Sequence, residues 1–276
     1  MSLFDYERPG TLAEASDTLR RDNAVALAGG TDLLVAIRHR VISPEVVVDL
    51  KSIADIDDDI SRVADRLTIG GRAVMSRLVH DEQVNRYFPA LAAAASVVGS
   101  VQIRNRATLA GNLCNASPAA DAAPPLLAFA SSVTISDGET SRTVPVAEFF
   151  RGPGVTVLDR GEVVSSIEVP IPSAVSGSAF ARVTRRRGVD LASVSLACLV
   201  DRSGHVRFGL GAVGPTPLVA ESTVDELVTD DGIDRLLAVA SPISDLRAGA
   251  DYRRAMLRVH ARRALQRAVG EMKAAS

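Results

Sequence analysis

The chain has 276 residues, 47% of them hydrophobic, and a formal charge of −2, which fits a folded globular protein with room for two domains. Its 31 basic and 33 acidic residues are interspersed rather than massed, which argues against a nucleic-acid partner. No apolar run reaches the about 18 residues of a membrane span, and Met1 to Gly10 lacks the charged start and apolar stretch of a secretion signal, so no membrane insertion and a cytoplasmic location are expected.

In chain order, Thr11 to Arg21 carries apolar residues at helical spacing after the Pro9-Gly10 turn, and Thr11 with Glu14 fits a capping box. Val25 to Ala28 reads as a short strand that breaks at Gly29-Gly30, and Asp32 to Arg38 resumes as a helix. Val46 to Leu50 and Leu67 to Ile69 read as strands on either side of an acidic loop, Asp55 to Asp59. Helices are expected at Val74 to Val84 and Ala90 to Val97. Gly99 to Ala123 is rich in small and hydrogen-bonding residues without a core-building period, and reads as an ordered functional loop. Val133 to Ser136 and Val163 to Val169 return to strands, and Ser173 to Gly177 is a small, polar candidate linker. Ser193 to Val200 and Val206 to Val213 read as strands around the turn Arg202-Ser203-Gly204. Tyr252 to Val269 is expected to form a long Arg-rich amphipathic helix whose arginines, Arg253 to Arg267, are most simply its wet face, with partner docking as the alternative.

Two motifs could carry chemistry. In Leu27-Ala28-Gly29-Gly30-Thr31-Asp32-Leu33-Leu34, glycines ahead of a helix supply bare N–H donors that can approach a phosphate. A plain strand-to-helix turn explains the same residues. The spacing is not G-x-G-x-x-G, and Arg38 to Arg40 offers no acidic ribose ligand, which disfavours a nicotinamide site. The second motif runs from Gln102 to Asp121. Its low net charge and apolar content suit a loop wrapped around a polar ligand better than a disordered linker.

Other chemistry is poorly supported. Two cysteines, Cys114 and Cys198, build neither a disulfide framework nor a four-thiolate cluster, so any metal centre is expected on another chain. Cys114 is better read as a small space-filling residue. His39, His80, His205 and His260 have no ligand spacing, and no G-x-S-x-G elbow accompanies the serines.

The order of motifs resembles a family. Ala28-Gly29-Gly30-Thr31-Asp32-Leu33, Thr68-Ile69-Gly70-Gly71, Ile103-Arg104-Asn105, Thr108-Leu109-Ala110-Gly111-Asn112 and Ser117-Pro118-Ala119-Ala120-Asp121 look like the FAD-binding (medium) subunit of the xanthine dehydrogenase and carbon monoxide dehydrogenase family of molybdenum hydroxylases. Phe150-Arg151-Gly152-Pro153-Gly154, Arg186-Arg187 and Ala248-Gly249-Ala250-Asp251-Tyr252 extend the likeness over essentially the whole chain.

The resemblance implies an α+β fold: a two-lobed FAD-binding domain of the vanillyl-alcohol oxidase type over residues 1–172, with lobes at about 1–57 and 58–172, then a small α/β domain over 177–276. It implies that Leu27, Ala28, Gly29, Gly30, Thr31, Asp32, Leu33 and Leu34, with Thr108, Leu109, Ala110, Gly111 and Asn112, grip the FAD diphosphate. Asp121 would hydrogen-bond a sugar or ribityl hydroxyl, and Gly99, Ser117, Val164 and Arg182 complete the cofactor set. Ala110 stands where the family usually has a second glycine, Val98 where some relatives have an aromatic, and Arg182 where some have Lys.

The implied function is electron relay, with no catalytic residue and no metal on this chain. Partners would be an iron–sulfur subunit with [2Fe-2S] clusters and a molybdopterin subunit, in paired heterotrimers, with an external electron acceptor. The complex would oxidise an N-heterocycle, purine or aldehyde. The competing readings are a free-standing flavin-dependent oxidoreductase and a cofactor-free scaffold subunit.

Overall fold

Three sheets of three to five strands and one two-stranded hairpin carry the described residues. The computed structural model describes residues 4–172, 175–186 and 188–275. The class is α+β.

The first sheet is parallel. β1 (Asp5–Glu7), β2 (Ala24–Leu27) and β3 (Val46–Asp49) lie in the order β1-β3-β2, so all three strands end on the same edge. Parallel strands need crossovers, supplied by α1 (Leu12–Leu19) and α2 (Leu33–Arg38). In α1 the expected capping box is present: the Thr11 hydroxyl accepts from Glu14 N–H, and the Glu14 carboxylate accepts from Thr11 N–H. Such caps contribute about 1 kcal/mol. β3 is buried along its whole length, as the middle strand must be.

The second sheet is antiparallel, with β4 (Ile60–Val63), β5 (Arg66–Gly70), β6 (Ser132–Ser136), β7 (Ser141–Pro145) and, after the hairpin β8 (Phe150–Gly152)–β9 (Val155–Thr156), β10 (Val163–Pro170). Their order is β4-β5-β10-β6-β7. Buried Leu67, Ile69, Val133, Ile135 and Ile167 alternate with polar neighbours, and they pack against α3 (Met75–His80), α4 (Glu82–Tyr87) and α5 (Pro89–Ser96). Phe88 anchors this core, edge-on to Phe129 at 5.0 Å between centroids.

The expected single helix from Val74 to Val84 is two. Asp81 adopts extended backbone, and its carboxylate accepts from the N–H groups of Gln83 and Val84. An aspartate that takes backbone donors for itself ends one helix and starts another. The Gly99 to Ala123 loop likewise holds two short helices, α6 (Val101–Arg104) and α7 (Leu109–Cys114), capped by the hydroxyls of Ser100 and Thr108, and runs into α8 (Ala123–Ala128); a further short helix, α9 (Val146–Phe149), follows β7.

The third sheet is a meander of β11 (Ser176–Val183), β12 (Val194–Asp201), β13 (His205–Gly211) and β14 (Leu218–Thr223). Within the expected linker, Ser173 and Ala174 lie outside the described residues, whereas Ser176 and Gly177 already belong to β11. Arg187 of the expected Arg-Arg pair is also outside them. Downstream come α10 (Asp230–Leu237) and α11 (Ala250–Ala274), which outruns its expected ends. Ala261, Ala264 and Ala268 are fully buried, and these small residues let the helix lie close on β11 and β12.

The arginines of α11 are not simply a wet face. Arg258 and Arg262 pair with Asp230, and Arg258 also with Asp234, on α10. Arg253 is buried: its guanidinium donates to the carbonyls of Ser193 (2.6 Å) and Ala212 (3.1 Å) and to Asp245 Oδ1 (2.7 Å).

Candidate cofactor site

The turn from Ala28 to Asp32 leaves the C-terminal edge of the parallel sheet, where open α/β sheets offer their crevice. Gly30 needs its glycine, with φ at +74°. Gly29 is required by proximity, because a Cβ there would overlap the carbonyl of Arg106. The N–H groups of Gly29, Gly30, Thr31 and Asp32 meet no acceptor among the described residues. Leu33 packs against the small core of Leu27, Ile37 and Val47, while Leu34 is exposed.

The second turn is fastened from the side. Met75 N–H donates to Ala107 O (2.8 Å) and Leu109 N–H to Ala73 O (3.1 Å), which fixes Thr108 between the two strandlike segments. Thr108 Oγ1 then accepts from Gly111 N–H (3.0 Å), while the buried Ala110 N–H finds no acceptor in the described chain. An added Cβ at Gly111 would lie 3.9 Å from the Ala28 methyl. The two glycine-bearing turns therefore meet.

Around them is a cleft lined by Lys51, Arg72, Arg106, Ala28, Gly29 and Thr108, among others. Arg72 donates to Lys51 O (2.6 Å), its buried Nε has no partner, and the Arg106 side chain makes no hydrogen bond or ion pair among the described residues. Asp49 is the nearby counter-charge, bonded to Lys51 and Tyr6; its carboxyl is held below the ordinary range by those bonds in spite of burial. Reading the sequence as motifs missed Lys51 and Arg72. Arg72 directly follows the quoted Gly70-Gly71, and its position there was the available signal.

The remaining expected residues distribute as follows. Gly99 has φ +52°, and Arg104 braces its turn by donating to Val98 O (3.1 Å) and Gly99 O (3.4 Å). Ser117 spends its hydroxyl on Ala119 N–H (3.3 Å) in a local turn. Val164 is buried at a bulge in β10, a strand that packs against α7. Asn112 Oδ1 is buried and unpartnered.

Asp121, in the segment between α7 and α8, meets Arg182 of β11, with Arg182 Nη1 at 2.7 Å from Asp121 Oδ2. Asp121 is 7% exposed and its Oδ1 has no partner. Burial pushes its carboxyl up to about 6, against the opposing pull of Arg182. Burial pushes the Cys114 thiol up to about 12, so it stays protonated and packs against the core.

Comparisons with known proteins bear on the chain as a whole. The family described as "FAD binding domain in molybdopterin dehydrogenase" matches residues 2–172, and the one described as "CO dehydrogenase flavoprotein C-terminal domain" matches residues 179–268. The xanthine dehydrogenase FAD-binding subunit of Escherichia coli O157:H7 is 31% identical, with 97% of each chain covered. Among solved structures, carbon monoxide dehydrogenase from Hydrogenophaga pseudoflava aligns with a TM-score of 0.91 at 31% identity, covering 97% of this chain and 98% of that one. Quinoline 2-oxidoreductase from Pseudomonas putida 86 aligns with a TM-score of 0.88 at 27% identity, covering 98% of each.

Proposed function

The chain belongs to the FAD-binding subunits of the molybdopterin dehydrogenases, an oxidoreductase family, and we propose that its own task is to hold FAD across the meeting point of its two glycine turns. The carrying observation is that contact: successive unclaimed amides of Gly29 to Asp32 lie beside the Thr108 to Gly111 turn, with the cations of the cleft close by. Amides without acceptors and an excess of positive charge suit a diphosphate.

On this reading Leu27, Ala28, Gly29, Gly30, Thr31, Asp32, Leu33 and Leu34, with Thr108, Leu109, Ala110, Gly111 and Asn112, form the diphosphate cradle. Lys51, Arg72 and Arg106 add charge to it. Gly99, Ser117, Asp121, Val164 and Arg182 complete the cofactor set. When bound, FAD supplies two-electron and one-electron redox chemistry. The residues of this chain bind and orient it and limit access to it, and none of them acts as an acid, base or nucleophile. The domains then run over 1–172, with lobes at about 1–57 and 58–172, and over 177–276.

We further propose that electrons arrive from an iron–sulfur partner, itself reduced by a molybdopterin subunit, and leave to an external acceptor in the cytoplasm. No helix of the described chain is long and apolar enough to cross a membrane. The names of the similar structures span carbon monoxide and quinoline, which supports selectivity residing on another subunit. The test is to purify the chain with its natural partners and measure FAD released on denaturation. Stoichiometric FAD is expected, and a complex free of flavin would refute the reading.

A further inference from the structure

The six arginines of α11 fall into two groups. Arg253, Arg254, Arg258 and Arg262 each meet an aspartate: Asp245, Asp251, and the pair Asp230 and Asp234 on α10. Arg263 makes no hydrogen bond or ion pair among the described residues, and Arg267 donates only to the Phe180 carbonyl (2.8 Å). His260 precedes them by three and seven residues, so the three side chains stand along one flank of the helix. Burial, Arg263 and Arg267 together hold the His260 imidazole below its ordinary range, the effect of cations crowded without a counter-charge.

Neighbouring elements supply no free carboxylate. Glu271 receives the Ser178 N–H (3.2 Å), Asp251 is engaged by Arg254, and Asp230 and Asp234 of α10 sit along the other flank with Arg258 and Arg262. On β11, whose Phe180 carbonyl takes the Arg267 bond, the one charged side chain is Arg182, and it is paired with Asp121. Like charges at this helical spacing repel, so the arrangement is completed by an anionic group from outside the chain.

Beside the cations runs an apolar strip. Tyr252 is 50% exposed and Val259 36%, with half-buried Met256 between them. Tyr252, Met256, Val259 and Arg263 follow at intervals of four, three and four, the spacing of a seam on which another surface packs. Aromatic, methionine and arginine side chains are those that protein interfaces favour. A lipid surface would call for large apolar side chains along the whole strip, whereas here they fill its first half and arginines its second.

We propose that this face of α11, from Tyr252 to Arg267, docks an acidic patch on a partner subunit: Tyr252 and Val259 pack against the apolar centre of the patch, and Arg263 and Arg267 pair with its carboxylates. That a partner subunit exists rests on the function proposed above; the face is assigned from its own residues.

The experiment is assembly of the full-length chain with its iron–sulfur and molybdopterin subunits, followed by mass photometry at several salt concentrations. Arg263→Glu should weaken assembly at low salt about tenfold, with the wild-type advantage shrinking as salt is raised. Arg202→Glu, an equal change of charge in the exposed turn between β12 and β13, should weaken it less than about twofold. FAD content should be the same in all three chains. Tyr252 should be shielded from hydroxyl-radical labelling in the wild-type complex relative to the free chain, a readout that needs no variant to fold. Undiminished assembly of Arg263→Glu, an equal loss in Arg202→Glu, or an unshielded Tyr252 would overturn the proposal. So would binding to phosphatidylglycerol vesicles that Arg263→Glu abolishes while assembly stays intact, since the face would then belong to a membrane. A wild-type chain that joins no other subunit sinks the assembly proposed above and the docking face with it, whereas wild-type assembly indifferent to Arg263→Glu sinks the docking face alone.

Discussion

Arg253 and Arg182 are both buried arginines that reach back to distant segments, yet they are finished to different degrees. Arg253 donates to three carbonyls, those of Ser193, Ala212 and Ala248, and to a carboxylate, and no nitrogen of it is left over. Arg182 engages a carboxylate whose second oxygen is bare. A saturated network stabilises the fold by itself, whereas an unsaturated one is complete only with something the chain does not contain.

The sharpest way to break that comparison is Arg253→Met. It strands the Ser193 and Ala212 carbonyls and Asp245, and should cost about 3–5 kcal/mol of unfolding free energy in urea titrations. FAD affinity of the molecules that remain folded should hardly change.

A smaller effect follows from Asp121 alone. Its carboxyl is raised from 3.8 to about 6 in the folded chain, so the folded state binds a proton that the unfolded state has released. Between about pH 4 and 6 the cofactor-free chain should therefore lose stability as pH rises, on the order of 3 kcal/mol at most, and level off above. Asp121→Asn should remove this slope from denaturation curves measured across that range.

Gly29→Ala tests the first turn. The added methyl overlaps the Arg106 backbone, so the turns must part, and FAD affinity should drop at least about tenfold by fluorescence titration. Arg72→Gln tests the cleft. A loss of about threefold, shrinking as salt is raised, is expected if its charge reaches the diphosphate; a loss indifferent to salt would remove the cation from the site.

The readable parts of the sequence were those where a single period governs several residues. The strands at Ala24–Leu27, Val46–Asp49 and Val163–Pro170, the capped α1 and the long α11 are of this kind. Short helices such as α6 and α7 escaped because four to six residues are too few to show a period, and only their Ser100 and Thr108 caps mark them. β7, largely exposed, and β14 gave no clean alternation. Within the candidate site the glycine turns were legible because bare backbone has few other uses. The pairing of Arg182 with Asp121, and the burial of Arg253, were not, since both depend on how segments far apart in the sequence dock.

One contact has a bearing on biosynthesis. Ala212 N–H donates to Pro118 O (2.7 Å), and a side chain at Gly209 would overlap the Pro124 carbonyl, so the segment carrying Asp121 is clasped by a strand made some ninety residues later. A nascent chain cannot seat that segment until β13 has cleared the ribosome. On the function proposed above, loading of the prosthetic group is thereby deferred until most of the polypeptide has been synthesised.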